Sequence, residues 1–388
     1  MVVCRMINTN IFSDVYSPCM SVSEEALILK SLGELSKRFS ERAGRVDREG
    51  LFPEDNLREL SDNGYLGAFI PRPYGFGLGA SLYVEVVKEL AKACASTAWL
   101  YVVHCAAAQS LYACGSDEQR ERYLRRAASG KLMGLAATEV ATGSGISGME
   151  TRAELRGDVY VLNGAKSFIT AAHGAHIFLV VARMANSDAP FPKNLSAFIV
   201  ERGAKGFSAG QRFEPMGMRG IGWGELVLRE CEVPRENVIS DGVRTINSGG
   251  HMGMLGASAI SFGLAEAALE VCRRHVKERV VGGQALGHRE GVKAMLSEMG
   301  SSVEAMRQVL RFGVDAFTRD SYPDLLKVKG FITETSLRVL DLALRVTGAH
   351  GYSRLLPLER YYRDARAPLL HFQTLETGRN VLGSILQT

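Results

Sequence analysis

The sequence predicts a mainly helical chain with a central β domain. Three observations carry the prediction. Apolar residues recur at helical spacing from about Ser23 to Gly134 and again after Val238, while the stretch between them switches to short alternating, β-branched runs. A hydrophobic content of 46% over 388 residues is enough for a large core divided among two or three domains.

The first twenty residues, "MVVCRMINTNIFSDVYSPCM", contain Arg5 and Asp14 and no continuous apolar run. They read as a loose leader, with no support for a signal peptide or membrane anchor. Residues 23–134 form the first domain, helical in "EEALILKSLGELSKRF", "LYVEVVKELAKACASTAWLYVV" and "SDEQRERYLRRAASGKLM". Its sharp break is "IPRPYGFGLGA", where Pro71, Pro73, Gly75, Gly77 and Gly79 make a loop. Residues 135–240 form the β domain: "TRAELRGDVYVLNGAK" predicts a hairpin turning at Gly157 and Asp158, followed by strands in "HIFLVVAR", "LSAFIVER" and "GELVLRECEVP". Residues 241–388 return to helical periodicity and are expected to keep it. Met295, Met299, Val303, Met306, Leu310 and Val314 make one apolar stripe and "TSLRVLDLALRVTGAHGY" another, which predicts two long antiparallel helices in a bundle.

Composition narrows the function. The net charge of +4 is spread over interspersed acids and bases, so neither a nucleic acid nor a membrane is expected as partner. Seven cysteines, scattered and never in a C-x-x-C pair, indicate a reducing cytoplasm and no zinc site. His173 and His176 have no third ligand nearby in sequence, so no metal is expected. "GSGISG" (143–148) matches G-x-G-x-x-G, but a hairpin follows it where a dinucleotide fingerprint needs a helix. The flanking "AATEVATGSG" reads on composition as a plain turn, although its small residues would also let backbone amides approach a phosphate or a flavin edge. No serine sits in a G-x-S-x-G elbow.

Six segments, taken in order, resemble the acyl-CoA dehydrogenase family of flavoproteins over about residues 25 to 387. They are "YGFGLGA", "TEVATGSG", "LNGAKSFIT", "MGMRGIGWGELVLRECEVP", "ERVVGGQAL" and "GAHGYSRLLPLERYYRDAR". The resemblance implies an acyl-CoA dehydrogenase-like fold: an N-terminal helical domain, a β-barrel-like middle domain and a C-terminal four-helix bundle, assembled as a homotetramer with FAD at subunit interfaces. FMN fits less well, because Arg279 matches the arginine that reaches the pyrophosphate of a neighbouring subunit's FAD. The same resemblance puts the flavin against Leu135, Thr138, Gly143, Ser144, Phe168, Ile169 and Thr170, with further contacts at Arg345, Gly348, Ala349, Thr374 and Glu376. Thr138 and Thr170 can donate to the flavin edges that gain negative charge on reduction.

Family members remove the α-proton of a thioester with a glutamate while the β-hydride goes to flavin N5. Counting from "RDAR", the glutamate position holds Phe372. The alternative site, a glutamate followed by arginine in an L-D-x-E-R pattern, holds Gly253 and Met254. Three readings follow. In the first, the chain oxidises an acyl thioester, small-molecule or carrier-bound, with His371, His251 or Glu376 as substitute base and an electron-transfer flavoprotein or flavin reductase as partner. In the second it is a monooxygenase on the same fold using reduced flavin and oxygen. In the third it is a non-catalytic flavin-binding subunit.

Overall fold

The computed structural model describes residues 22–387 apart from Ser144, so the leader and Ser144 lie outside the described residues. The chain opens with α1 (Val22–Glu49) and α2 (Glu54–Asp62). Two core helices follow, α3 (Ala80–Ala93) and α4 (Ala95–Cys114). The Pro/Gly loop expected at 70–80 separates α2 from α3. Helix α4 is apolar on every side, and its Trp99, Tyr101 and Val102 are fully buried. A helix of that kind belongs inside the core.

The middle of the chain forms an eight-stranded sheet: β1 (Met133–Ala136), β2 (Arg152–Arg156), β3 (Val159–Ile169), β4 (Ile177–Met184), β5 (Leu195–Glu201), β6 (Phe207–Arg212), β7 (Gly224–Pro234) and β8 (Val238–Ile239). The path runs β6-β7-β3-β2-β4-β5-β8, with β1 added parallel beside β4 through Met133↔Ile177 and Ala136↔Val180. The predicted hairpin is present: Arg156 pairs with Val159 across a turn in which Gly157 takes φ +61°. The β3–β7 ladder shifts register between Lys166 and Ile169. Such a bulge re-aims side chains, and here it swings Phe168 to φ +62° at the end of the strand.

Helix α5 (Gly242–Glu278) is the axis of the third domain, capped by Asp241, which accepts from Arg244 N at 2.8 Å. It is long and apolar enough to cross a membrane, but 94% of its most apolar window is buried inside the protein. Helices α3, α4, α6 (Glu290–Thr318) and α7 (Tyr322–Thr347) cover it. The methionine-rich stripe behaves as predicted, with Met299, Val303, Met306 and Leu310 buried. One expectation needs correction. Helicity does not persist through "ERVVGGQAL": β9 (Val280–Val281) and β10 (Gln284–Ala285) form a small hairpin there. Gly282 and Gly283 both take positive φ, 62° and 80°, a turn two consecutive glycines adopt at little cost. The chain ends in α8 (Leu358–Asp364), α9 (Ala367–Leu370) and α10 (Leu375–Leu386).

Candidate active site

A cavity of about 480 Å³ lies where all three domains meet. From the sheet side come Leu135 in β1 and Thr138 just after it, with Gly143 in the following loop. The end of β3 contributes Phe168, Ile169 and Thr170. Helix α5 presents Gly250, His251 and Met254, α7 presents Tyr322, and the α9–α10 connection supplies His371, Phe372 and Thr374. Most of the site residues expected from sequence are therefore gathered around one space.

Several contacts fix its walls. Trp99 Nε1 donates to Thr170 Oγ1 at 3.2 Å, and because that oxygen accepts, the hydroxyl's own hydrogen is free to donate elsewhere. Trp223 Nε1 donates to the Phe168 carbonyl at 2.8 Å. The Phe168 ring packs on Phe213 and Trp223, at 4.9 and 5.2 Å, yet stays 40% exposed toward the cavity. Behind the Thr138 loop lies a buried ion pair: Lys166 Nζ meets Glu139 Oε1 at 2.6 Å and also donates to the Ala137 carbonyl at 3.2 Å. Burial raises the Glu139 carboxyl, but bonds from Lys166, Thr151 and the Glu150 amide outweigh it and hold the group below the ordinary carboxylate value. An open aromatic wall facing two threonines and a backbone held from behind fits a planar, electron-accepting ring.

Two histidines reach the cavity, each with its tautomer set by a partner. The Nδ1 of His251 lies 2.6 Å from the Asp320 carboxylate, and its ring stacks on Tyr322 at 5.5 Å. Asp320 takes φ +53° in the tight α6–α7 connection, which turns its carboxylate toward α5. His371 Nδ1 donates to the Ala367 carbonyl at 2.8 Å, and its ring packs edge-on against Trp99 at 4.9 Å. A carboxylate or carbonyl only accepts, so in both rings Nδ1 carries the hydrogen and Nε2 is the basic nitrogen. Burial, with a smaller contribution from the Lys329 charge, holds His371 below the ordinary histidine value.

Phe372, where the sequence pattern expects the glutamate, takes φ +52°. Its ring lies so close over Gly253 that a Cβ added there would fall well inside van der Waals contact. The two positions where a base was sought thus face each other, one filled by a ring and the other emptied to admit it.

Other expected residues stand apart. Glu376 is exposed on the first turn of α10 and does not line the cavity. Arg279, Arg345, Gly348 and Ala349 are exposed at the opposite end of the bundle, where the His275 and His350 rings, 5.3 Å apart, tie their two segments together. At 1.5 Å per helical residue, Arg279 is ~42 Å from His251 along α5, too far to share one bound dinucleotide within a single chain. Sequence reasoning missed Asp320, Lys329, Trp99 and Trp223. Lys166 and Glu139 stood inside the quoted motifs without a role.

Three family models match in chain order: the acyl-CoA dehydrogenase N-terminal domain over residues 23–131, the middle domain over 134–231 and the C-terminal domain over 240–379. The chain belongs to the acyl-CoA dehydrogenase family. It is 33% identical over 373 residues to a cyclohex-1-ene-1-carbonyl-CoA dehydrogenase of Geobacter metallireducens, covering 94% of this chain and 98% of the relative. The structure of butyryl-CoA dehydrogenase from Megasphaera elsdenii superimposes with a TM-score of 0.88 at 27% identity, over 96% of this chain and all of that one. That of the prolyl acyl carrier protein oxidase AnaB gives 0.84 at 26% identity, over 92% and 99%. This acyl-CoA dehydrogenase family member is a flavin-dependent oxidoreductase, and FAD is its expected cofactor.

Proposed function

We propose that this family member oxidises a compact acyl thioester, on coenzyme A or a carrier protein, with His251 as the base in place of the absent glutamate. The observation that carries the reading is His251 on the cavity wall, held from outside the cavity by the Asp320 carboxylate. An imidazole whose Nδ1–H is held by a carboxylate has its tautomer fixed and presents Nε2 as acceptor. His371 is the weaker candidate, because a neutral carbonyl orients it and burial opposes its protonation. Glu376 would need to leave its exposed position on α10 to take part.

In this reading Thr138 and Thr170 donate to the flavin edge, the tryptophans fix the segments behind it, and Phe372 with Met254 excludes water from the acyl group. Bound FAD supplies the acceptor for the β-hydride. His251 Nε2 takes the α-proton, so one proton and one hydride leave and a carbon–carbon double bond forms. Arg279, Arg345, Gly348 and Ala349 are assigned to a neighbouring subunit's cofactor in a homotetramer, and an electron-transfer flavoprotein or flavin reductase to electron exchange. The names of relatives support both thioester classes: one is a CoA-thioester dehydrogenase and another an acyl carrier protein oxidase.

The test is anaerobic mixing of the FAD-loaded protein with acyl-CoA and acyl-carrier thioesters, following flavin absorbance. Bleaching is expected, slowed roughly 100-fold or more in His251→Ala and about tenfold in Asp320→Asn. Bleaching untouched by His251→Ala removes His251 as base. No bleaching by any thioester, together with oxygen-dependent substrate oxidation by the reduced protein, would replace this reading with the monooxygenase one.

A further inference from the structure

Lys329, on α7, is buried to 3% exposure, and its ammonium donates to the main-chain carbonyl of Gln373 at 2.5 Å. Burying a charge against a neutral carbonyl is a poor way to gain stability, since desolvation outweighs a single bond. The cost shows in the group itself: burial pulls Lys329 down to about 8, although the Glu376 charge works in the opposite direction. Some purpose at the acceptor must explain it.

The acceptor is unusual. Phe372 and Gln373 are consecutive non-glycine residues at positive φ, 52° and 100°, a backbone that L-residues adopt only when their surroundings impose it. Each end of this segment has its own anchor: His371 on the Ala367 carbonyl, and Thr374 capping α10 by accepting from Thr377 N at 3.2 Å. Phe372 is held by its ring against Gly253 and against Trp99, 5.6 Å between centroids. The Gln373 carbonyl is held by Lys329, a contact spanning 44 residues of sequence.

We propose that Lys329 is a positioning residue, whose ammonium locks the left-handed Phe372–Gln373 backbone and thereby sets the His371–Phe372 wall of the cavity. The importance of that wall rests on the oxidation reading above, but the lock itself is a property of the protein without substrate. The test uses the chain's two tryptophans. Trp99 packs on His371 and Phe372, and Trp223 lies 6.3 Å from His371, so intrinsic fluorescence of the cofactor-free protein reports on this segment.

Lys329→Met is expected to red-shift the emission and raise acrylamide quenching roughly twofold, as a locally opened segment would, with far-UV circular dichroism unchanged. Glycine takes φ +100° without strain, so adding Gln373→Gly to Lys329→Met is expected to restore most of the wild-type signal. Lys329→Gln, uncharged but still a donor, is the second variant should the methionine fail to fold, and the same glycine rescue applies to it. Unchanged emission, or a change that Gln373→Gly does not reverse, overturns the proposal. In the FAD-loaded protein the expected signature is a kcat loss of roughly tenfold or more with KM within about twofold. A protein that no thioester reduces, but whose fluorescence follows this pattern, would sink the oxidation reading and leave the lock standing.

Discussion

The packing of Phe372 on Gly253 makes a prediction whose sign depends on the partner residue. Gly253→Ala adds a methyl into the Phe372 ring, which cannot swing aside easily because Trp99 flanks it and its own backbone is at φ +52°. Overpacking of this kind costs about 1–3 kcal/mol, while alanine inside a helix returns ~1 kcal/mol over glycine. The net expectation for the single change is a loss of ~0–2 kcal/mol. Phe372→Ala removes a partly buried ring, and half of the 3–5 kcal/mol typical of a fully buried one gives a loss of ~2 kcal/mol. With the ring gone, the methyl enters open space and only the helix gain remains. Gly253→Ala should therefore stabilise the Phe372→Ala protein by ~1 kcal/mol, a coupling of roughly 1–3 kcal/mol between the two sites. Urea unfolding of the four proteins, followed by circular dichroism, measures it. Additivity within about 0.5 kcal/mol would refute the claim that the ring and the glycine are one device.

Two further outcomes follow from the same structure. The Glu139 carboxyl sits below its ordinary value of 4.5, so its stabilising contribution is complete above that pH and is lost as pH falls through the lower folded value. Glu139→Gln should be less stable than wild type at pH 7, and the gap should narrow below about pH 4.5 in acid titrations of unfolding; a gap independent of pH would show that the pair contributes no charge linkage. Arg279→Ala should weaken FAD retention on gel filtration while leaving the fluorescence of Trp99 and Trp223 in the cofactor-free protein unchanged, because the arginine lies ~42 Å along α5 from His251, which shares a cavity with both tryptophans. Undiminished FAD affinity would remove its assignment to the pyrophosphate.

Much of the fold was legible because its signals are local. The stripe from Met299 to Leu310 and the Gly157 turn each declare themselves within a few residues. The Gly282–Gly283 hairpin was read through as helix, since two residues of turn between amphipathic stretches barely disturb the periodicity. At the site, ordered motifs led to Thr138, Thr170, His251 and His371, all of which line one cavity. Asp320 was invisible because nothing near it in sequence says that α6 and α7 turn it toward a histidine 69 residues earlier. Lys329 looks in "LLKVKGF" like any solvated helix lysine, and only the packing of the α9–α10 connection across it makes it buried. Glu376 shows the converse: its motif position drew it into the site, while its place on α10 faces outward.

The cavity is also not alone. A wider cleft of about 1020 Å³ opens beside it, lined by Lys193, Asp241 and Arg244, and the two spaces share Asn247 and His251. His251 and Asn247 thus border a space on either side. In the proposed oxidation, a change at His251 would therefore be felt from both spaces, while the flavin ring and the acyl group would have to divide the inner 480 Å³ between them.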